Sequence, residues 1–193
     1  MEKEGGQAVI QFNPENHTFT LNGKDVPGVT RVLKDERWID TRFFAEEGRE
    51  RGTNVHKATA FLDADLLDWR TVDPAIVGYV ESWEKARNEL GLKITGIERI
   101  VYKGELYAGI VDREALWDKR KTVIDLKTGS PNRADNLQIV AYGATYRTMP
   151  RLLLVYLKPD GYKAVELEPD VAEVYSMSWF HIVSLWHFRR RTE

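Results

Sequence analysis

Apolar and polar residues alternate through the opening stretch VIQFNPENHTFTLNGKDVPGVTRVLK, around the turn signals Asn13-Pro14 and Asn22-Gly23. A period of two buries one face of a strand, and Asn-Gly is a favoured tight-hairpin dipeptide, so the stretch predicts short β structure. From Arg42 to about Leu67 the spacing turns helical, with Phe43, Phe44, Val55, Ala58, Phe61 and Leu62 forming an apolar side and a break expected near Gly48 or Gly52. A second helix is expected from Asp73-Pro74, an N-cap followed by proline at the first helical position. Ile76, Val80, Trp83 and Leu90 recur along it until Gly91 closes it.

Strand-like runs then cover Ile94–Tyr102, Tyr107–Trp117 and Lys121–Lys127, joined by the turns Lys103-Gly104-Glu105 and Asp118-Lys119-Arg120. Connections this short force an antiparallel meander. Asp135 with Gln138 three residues later reads as a capping box opening a helix to about Tyr146, whose small residues Ala141, Gly143 and Ala144 let it lie close on a sheet. Leu152–Leu157 is almost wholly apolar, as a buried strand is, and Asp160-Gly161 turns it into a further strand, Tyr162–Glu168. Asp170 and Glu173 cap a last helix. The fold class is therefore α/β, one domain spanning residues 1–193 with helices flanking a single sheet and neither linker nor repeat.

Composition narrows the chemistry. With 42% hydrophobic residues, 11% aromatics and 30% charged residues, the 193-residue chain can bury a core and is not a disordered sequence. The absence of cysteine excludes disulfides, thiolate zinc sites, iron–sulfur clusters and cysteine nucleophiles, leaving His, Asp and Glu as metal ligands. The net charge of -2 gives no global attraction to nucleic acid, so any polyanion site must be local. MEKEGGQ lacks an apolar core and no eighteen apolar residues run together, which argues for a cytoplasmic protein with no membrane partner.

Alternation along the second meander strand places Ile110, Asp112, Glu114 and Leu116 on one face, and along the third strand Lys121, Val123, Asp125 and Lys127. The hairpin makes these strands neighbours, so Asp112 and Asp125 can meet. Two ionised carboxylates in a half-buried site repel unless a cation lies between them. Hard oxygen ligands without sulfur favour Mg²⁺ or Mn²⁺. Lys127, two residues from Asp125, supplies a cation on the substrate side. A bare D-x-K is usually an exposed ion pair; its pairing with Asp112 in AGIVDREALW is what singles it out. Glu98 is either a further acid of this site or a paired structural glutamate.

These segments, taken in order, resemble the PD-(D/E)XK nuclease superfamily and specifically its RecB-like and phage-exonuclease branch. GIVD and IDLK stand where its two catalytic strand motifs stand. RGTNVH, Arg51 to His56, is similar to the branch's RGxxxH helix motif, QIVAY, Gln138 to Tyr142, to its QxxxY motif, and VPGVTRVL to a segment near the start of phage members. The resemblance implies an αβββαβ core over about residues 74–158, with N-terminal β and helical additions and a C-terminal helix. It implies Mg²⁺- or Mn²⁺-dependent hydrolysis of DNA phosphodiester bonds, exonucleolytic, in phage or prophage recombination or DNA processing. Asp112, Asp125, the Leu126 carbonyl and His56 would hold the metal, with Lys127 at the attacked phosphate. Without cysteine, the iron–sulfur cluster of some relatives is excluded.

Gln138 and Tyr142 lie four apart on one helix face and could hold a DNA phosphate or sugar. Gln138 has a second reading as the capping-box partner of Asp135, and Tyr142 as a core aromatic. Arg31, Lys34, Arg37, Arg42, Arg49 and Arg51 make either a basic wall beside the site or a solvated helix face. Trp38, Phe43 and Phe44 either stack bases or pack in the core. Arg189-Arg190-Arg191 reads as a phosphate contact or a frayed end, and the apolar last helix as buried or as half of a homo-oligomer interface. The resemblance implies DNA as the partner, and beside it a single-strand annealing protein. Other readings are a non-catalytic nucleic-acid-binding subunit and an endonuclease of the same superfamily.

Overall fold

The computed structural model describes residues 8–39 and 46–191. Its elements are β1 (Ile10–Asn13), β2 (Thr18–Leu21), β3 (Lys24–Val26), α1 (Val29–Asp35), α2 (Glu46–Asp63), α3 (Val77–Glu89), β4 (Lys93–Tyr102), β5 (Ala108–Trp117), β6 (Arg120–Lys127), α4 (Arg133–Gly143), β7 (Arg151–Lys158), β8 (Gly161–Glu166) and α5 (Pro169–Arg191). It is a mixed α/β chain. A small antiparallel sheet takes the order β1-β2-β3, and a five-stranded sheet the order β4-β5-β6-β7-β8. All neighbours in the larger sheet are antiparallel except β6 and β7, which the α4 crossover makes parallel.

The expected meander, the buried β7 and the β7–β8 hairpin all form where the pattern places them. The Asn22-Gly23 turn carries positive φ at both residues, 52° and 81°, as a primed hairpin turn requires. Several expectations need correction. The segment from Val29 is helical rather than β, because Val29, Val32 and Leu33 recur at helical spacing and are all buried. Helix α2 runs unbroken through Gly48 and Gly52. The expected opening of the next helix at Asp73-Pro74 is only a turn, in which Asp73 accepts the Ala75 amide at 2.8 Å, and regular helix begins at Val77. Helix α4 is capped by Asn132, whose side chain accepts the Asp135 amide while Asp135 accepts the Asn132 amide, so Asp135 is the third helical residue and Gln138 is no part of the box.

Two apolar layers sandwich the large sheet. Val123, Leu152, Leu154 and Tyr156 pack under α1, α4 and α5. Ile124, Leu126, Leu153 and Val155 face α2 and α3. Strand β5 departs from this alternation: Val111 belongs to the first layer, yet Ala115, four residues on, belongs to the second. The side-chain alternation slips between them, near Asp112, while the β4–β5 register runs on unshifted from Gly96 opposite Glu114 to Tyr102 opposite Ala108. The expected common face for Ile110, Asp112 and Glu114 is thus overturned. Ile110 packs with the small sheet, whereas Glu114 accepts the Tyr146 hydroxyl beyond α4.

Two of the three C-terminal arginines make ion pairs within the fold. Arg189 pairs with Glu36 at 2.6 Å, and Arg190 pairs with Asp35 at 2.8 Å while lying 3.9 Å over the Trp186 ring, pinning α5 to α1. Trp179, Val183 and Trp186 of α5 are buried; Val174, Met177, Leu185 and Phe188 are exposed. Among the described residues no helix is long and apolar enough to cross a membrane.

Candidate active site

The chemistry collects where β5 and β6 stop pairing. Their ladder ends at Arg113 opposite Ile124, which makes Asp112 and Asp125 the next cross-strand positions. Both are buried, with 8% and 1% of their surface exposed. Asp112 replaces the missing ladder rung: its Oδ2 accepts the Leu126 amide at 2.7 Å. Its Oδ1 lies 3.3 Å from His56 Nδ1. Leu126 therefore reaches the site through its amide, while its side chain fills the core.

His56 arrives from α2. Gly52, one turn earlier, lies close to the strand end: a Cβ there would sit 3.4 Å from the Thr128 hydroxyl just past β6, an ordinary contact. The Asp112 charge raises the His56 pKa, against the opposing effect of burial. Burial would raise Asp112, but the imidazolium, its hydrogen bond, Lys127 and the Leu126 amide together hold it below the ordinary carboxylate range.

Glu98 comes from β4, where its φ of 47° turns it out of the regular strand. Burial and the Asp112 charge raise its pKa. Ligand atoms of His56, Glu98 and Asp112 all lie within 4.8 Å of one another. An imidazole and two carboxylates suit a divalent ion of intermediate hardness, with room left for waters and a phosphate oxygen. The residues fit such an ion.

Asp125 is turned toward Lys127 instead. Its Oδ2 lies 2.6 Å from Lys127 Nζ as an ion pair without an aligned hydrogen bond. Burial raises Asp125 to about 6, with Lys127 opposing and Asp112 reinforcing the shift. Burial would depress Lys127, yet the charges of Asp125, Asp135 and Asp112 outweigh it and keep the ammonium charged. Lys127 donates to Gln138 Oε1 at 2.9 Å, and Gln138 Nε2 donates to the Tyr142 hydroxyl at 2.8 Å. The QxxxY spacing thus forms one relay on α4 ending at the lysine. The Tyr142 ring lies against Gly109, where a Cβ would come within 2.4 Å of its Cε1.

Sequence reasoning missed three residues here. Arg113 is fully buried: it pairs with Asp63 of α2, donates to Thr59 Oγ1 at 3.0 Å and to the Asp112 carbonyl at 2.6 Å, and lies 3.3 Å from Glu98. Asp63 also accepts from Trp83 Nε1 at 2.8 Å and Arg87 at 2.9 Å. This clamp fixes the helix bearing His56 to the strand bearing Asp112. The third, Asp135, lies 4.0 Å from Lys127 and accepts the Tyr156 hydroxyl at 3.1 Å. An Asp at the end of a helical run and an Arg inside an apolar strand were the available signals.

Two further expected nucleic-acid contacts lie on α2 before His56. Arg51 packs over the Tyr79 ring at 5.6 Å, and Arg49 is exposed about two turns before His56. Arg42, Phe43 and Phe44 lie outside the described residues; Trp38 is exposed.

No protein-family model matches the chain, and no curated protein matches it. Among solved structures it is similar to one described as the crystal structure of SSO0001. The two share 13% identity over 81% of this chain and 84% of that chain, with a TM-score of 0.33. That likeness is too loose to carry an argument.

Proposed function

We propose that the chain is a metal-dependent deoxyribonuclease with a PD-(D/E)XK-type core, acting as an exonuclease. The observation that carries this reading is the placing of Asp112 and Asp125 just past the last β5–β6 pair, Arg113 opposite Ile124, where both are buried and Lys127 pairs with Asp125 at 2.6 Å. The order α3, β4, β5, β6, α4, β7, with β6 and β7 parallel, agrees with the αβββαβ core. The RGTNVH and QIVAY segments, which bring His56 to Asp112 and Gln138 to Lys127, favour the exonuclease branch.

In this reading His56, Glu98 and Asp112 hold Mg²⁺ or Mn²⁺, and Asp125 adds negative charge beside them. A bound divalent ion supplies a water of lowered pKa and neutralises charge on the phosphate. The protein's own part is positioning. Asp125, Asp135 and Gln138 fix the Lys127 ammonium, which meets a non-bridging phosphate oxygen and stabilises the charge that grows there in the transition state. Arg113 and Asp63 hold the imidazole and the carboxylates in register, so no reorganisation is required during the reaction.

The test is incubation with end-labelled linear DNA and closed circular DNA, in Mg²⁺, Mn²⁺ or EDTA. Metal-dependent loss of the linear substrate alone supports an exonuclease. Cleavage of the circle indicates an endonuclease of the same chemistry. Binding without cleavage of either indicates a nucleic-acid-binding subunit.

A further inference from the structure

A cavity of about 740 Å³ opens beside the candidate active site, between the small sheet, α1 and the start of β5. The segment VPGVTRVL builds one wall. Its Pro27 carbonyl accepts the Ala108 amide at 2.9 Å, and Gly28 bridges to Ala108 in parallel, so the start of α1 is stitched to β5 four residues before Asp112. The cavity borders the catalytic cluster: its lining includes Tyr142 of the Gln138–Lys127 relay and Ile110, two residues before Asp112 on β5.

Its lining is aromatic on one side; on the other α1 brings Arg31, which pairs with Asp25, Asp35, which pairs with Arg190, and Lys34. The Phe12 ring lies 4.8 Å from Phe19 and 5.8 Å from His17, centroid to centroid, forming a short ladder that ends in the exposed imidazole. Across the opening Lys34 is exposed on α1. Rings for bases and an ammonium for the backbone are the elements of a single-strand binding groove, where stacking supplies affinity without reading sequence. Pairs inside a duplex are stacked on both faces and have none to offer such rings. The volume is that of a small-ligand site, room for a nucleotide or two rather than a double helix.

We infer that this cavity seats an unpaired DNA strand leading into the active site, with His17 and Phe12 stacking its bases and Lys34 meeting a phosphate. The inference rests on the nuclease reading and adds to it the form of the substrate.

The experiment is fluorescence anisotropy of a short fluorescein-labelled oligothymidylate in EDTA across a salt series, alongside cleavage of linear duplex DNA in Mg²⁺ or Mn²⁺. His17 has φ of 53°, which asparagine tolerates, so His17→Asn removes the ring without straining the turn. Lys34→Gln removes an exposed charge, and Lys163→Gln does the same on distant β8. The inference expects His17→Asn to weaken strand binding roughly tenfold. It expects Lys34→Gln to lower the slope of log affinity against log salt by about 0.7, and Lys163→Gln to change neither. Wild-type binding retained in both cavity variants overturns the cavity assignment and leaves the nuclease reading standing, as does duplex cleavage by a protein that does not bind the single strand. A wild-type protein that neither binds nor cleaves DNA overturns both.

Discussion

Asp112 and Leu126 are joined by a side-chain-to-backbone hydrogen bond of 2.7 Å that stands in for a rung of the β5–β6 ladder. A regular antiparallel pair would spend that amide on a β5 carbonyl. The slip in β5 frees it, and the carboxylate that takes it is held rigidly with its second oxygen turned to His56. The distortion of the sheet and the assembly of the site are one event.

Metal binding should compete with protons. His56 and Glu98 are both raised, and Asp125 is raised to about 6, so the metal-free protein keeps protons at the site to higher pH than the unfolded chain does. For Asp125 the sign is that of an acid with a raised folded pKa: its stabilising contribution is complete below the unfolded carboxylate range and is lost as pH rises through about 6. A divalent ion displaces these protons. The rise in Tm produced by Mn²⁺ should therefore be larger at pH 8 than at pH 5.5, and should vanish in Asp112→Asn. Differential scanning fluorimetry checks both; an equal rise at the two pH values contradicts the ligand set.

Mn²⁺ should support faster cleavage than Mg²⁺. A nitrogen ligand alongside carboxylates suits the softer ion. Replacing His56 by Asp should narrow or reverse the ratio of rates in the two metals, and an unchanged ratio would remove His56 from the metal shell.

Much of this arrangement is legible in the sequence, for reasons of period. The meander announces itself by alternation and short polar turns, β7 by its unbroken apolar run, and Lys127 by its place two residues after Asp125 on one face. What escapes is non-local. The slip at Asp112 leaves no mark in the pattern, because Val111, Asp112 and Arg113 are all buried and no polar residue records which side faces water. Helix α1 was hidden by its β-branched residues, whose propensity favours strands until Val32 and Leu33 find a core. The Asn132 cap is hidden because Asp135, three residues on, is itself a cap-forming residue with Gln138 three residues beyond it. The Asp63–Arg113 clamp joins residues 50 apart, which no local spacing can pair.

Breaking that clamp should be costly. Arg113 and Asp63 side chains are both fully buried, and removal of one partner strands the other charge in the interior. Arg113→Leu should lose about 3 kcal/mol or more in urea denaturation, with metal binding weakened as well, since Glu98 and the Asp112 carbonyl lose their shared donor. Asp63→Leu combined with Arg113→Leu should recover part of the stability but not the metal affinity.

Gly109 should tolerate no side chain. A Cβ there would overlap the Tyr142 ring, forcing it away from Gln138. Gly109→Ala is expected to lose about 1–3 kcal/mol and to slow cleavage. Tyr142→Phe, which keeps the ring seated and removes only the hydroxyl, should stay within about 1 kcal/mol of wild type in stability.

The most direct measurement is the cleavage rate of Lys127→Met on end-labelled linear DNA in Mn²⁺, with folding confirmed by circular dichroism and DNA binding by anisotropy. Methionine keeps most of the stem and deletes the ammonium that Asp125, Asp135 and Gln138 hold in place. A folded, DNA-binding protein that cuts at least a hundredfold more slowly (on the order of the effect of removing one charge-stabilising group) is the predicted result. A variant that cuts at the wild-type rate would contradict the assignment of this cluster as the active site.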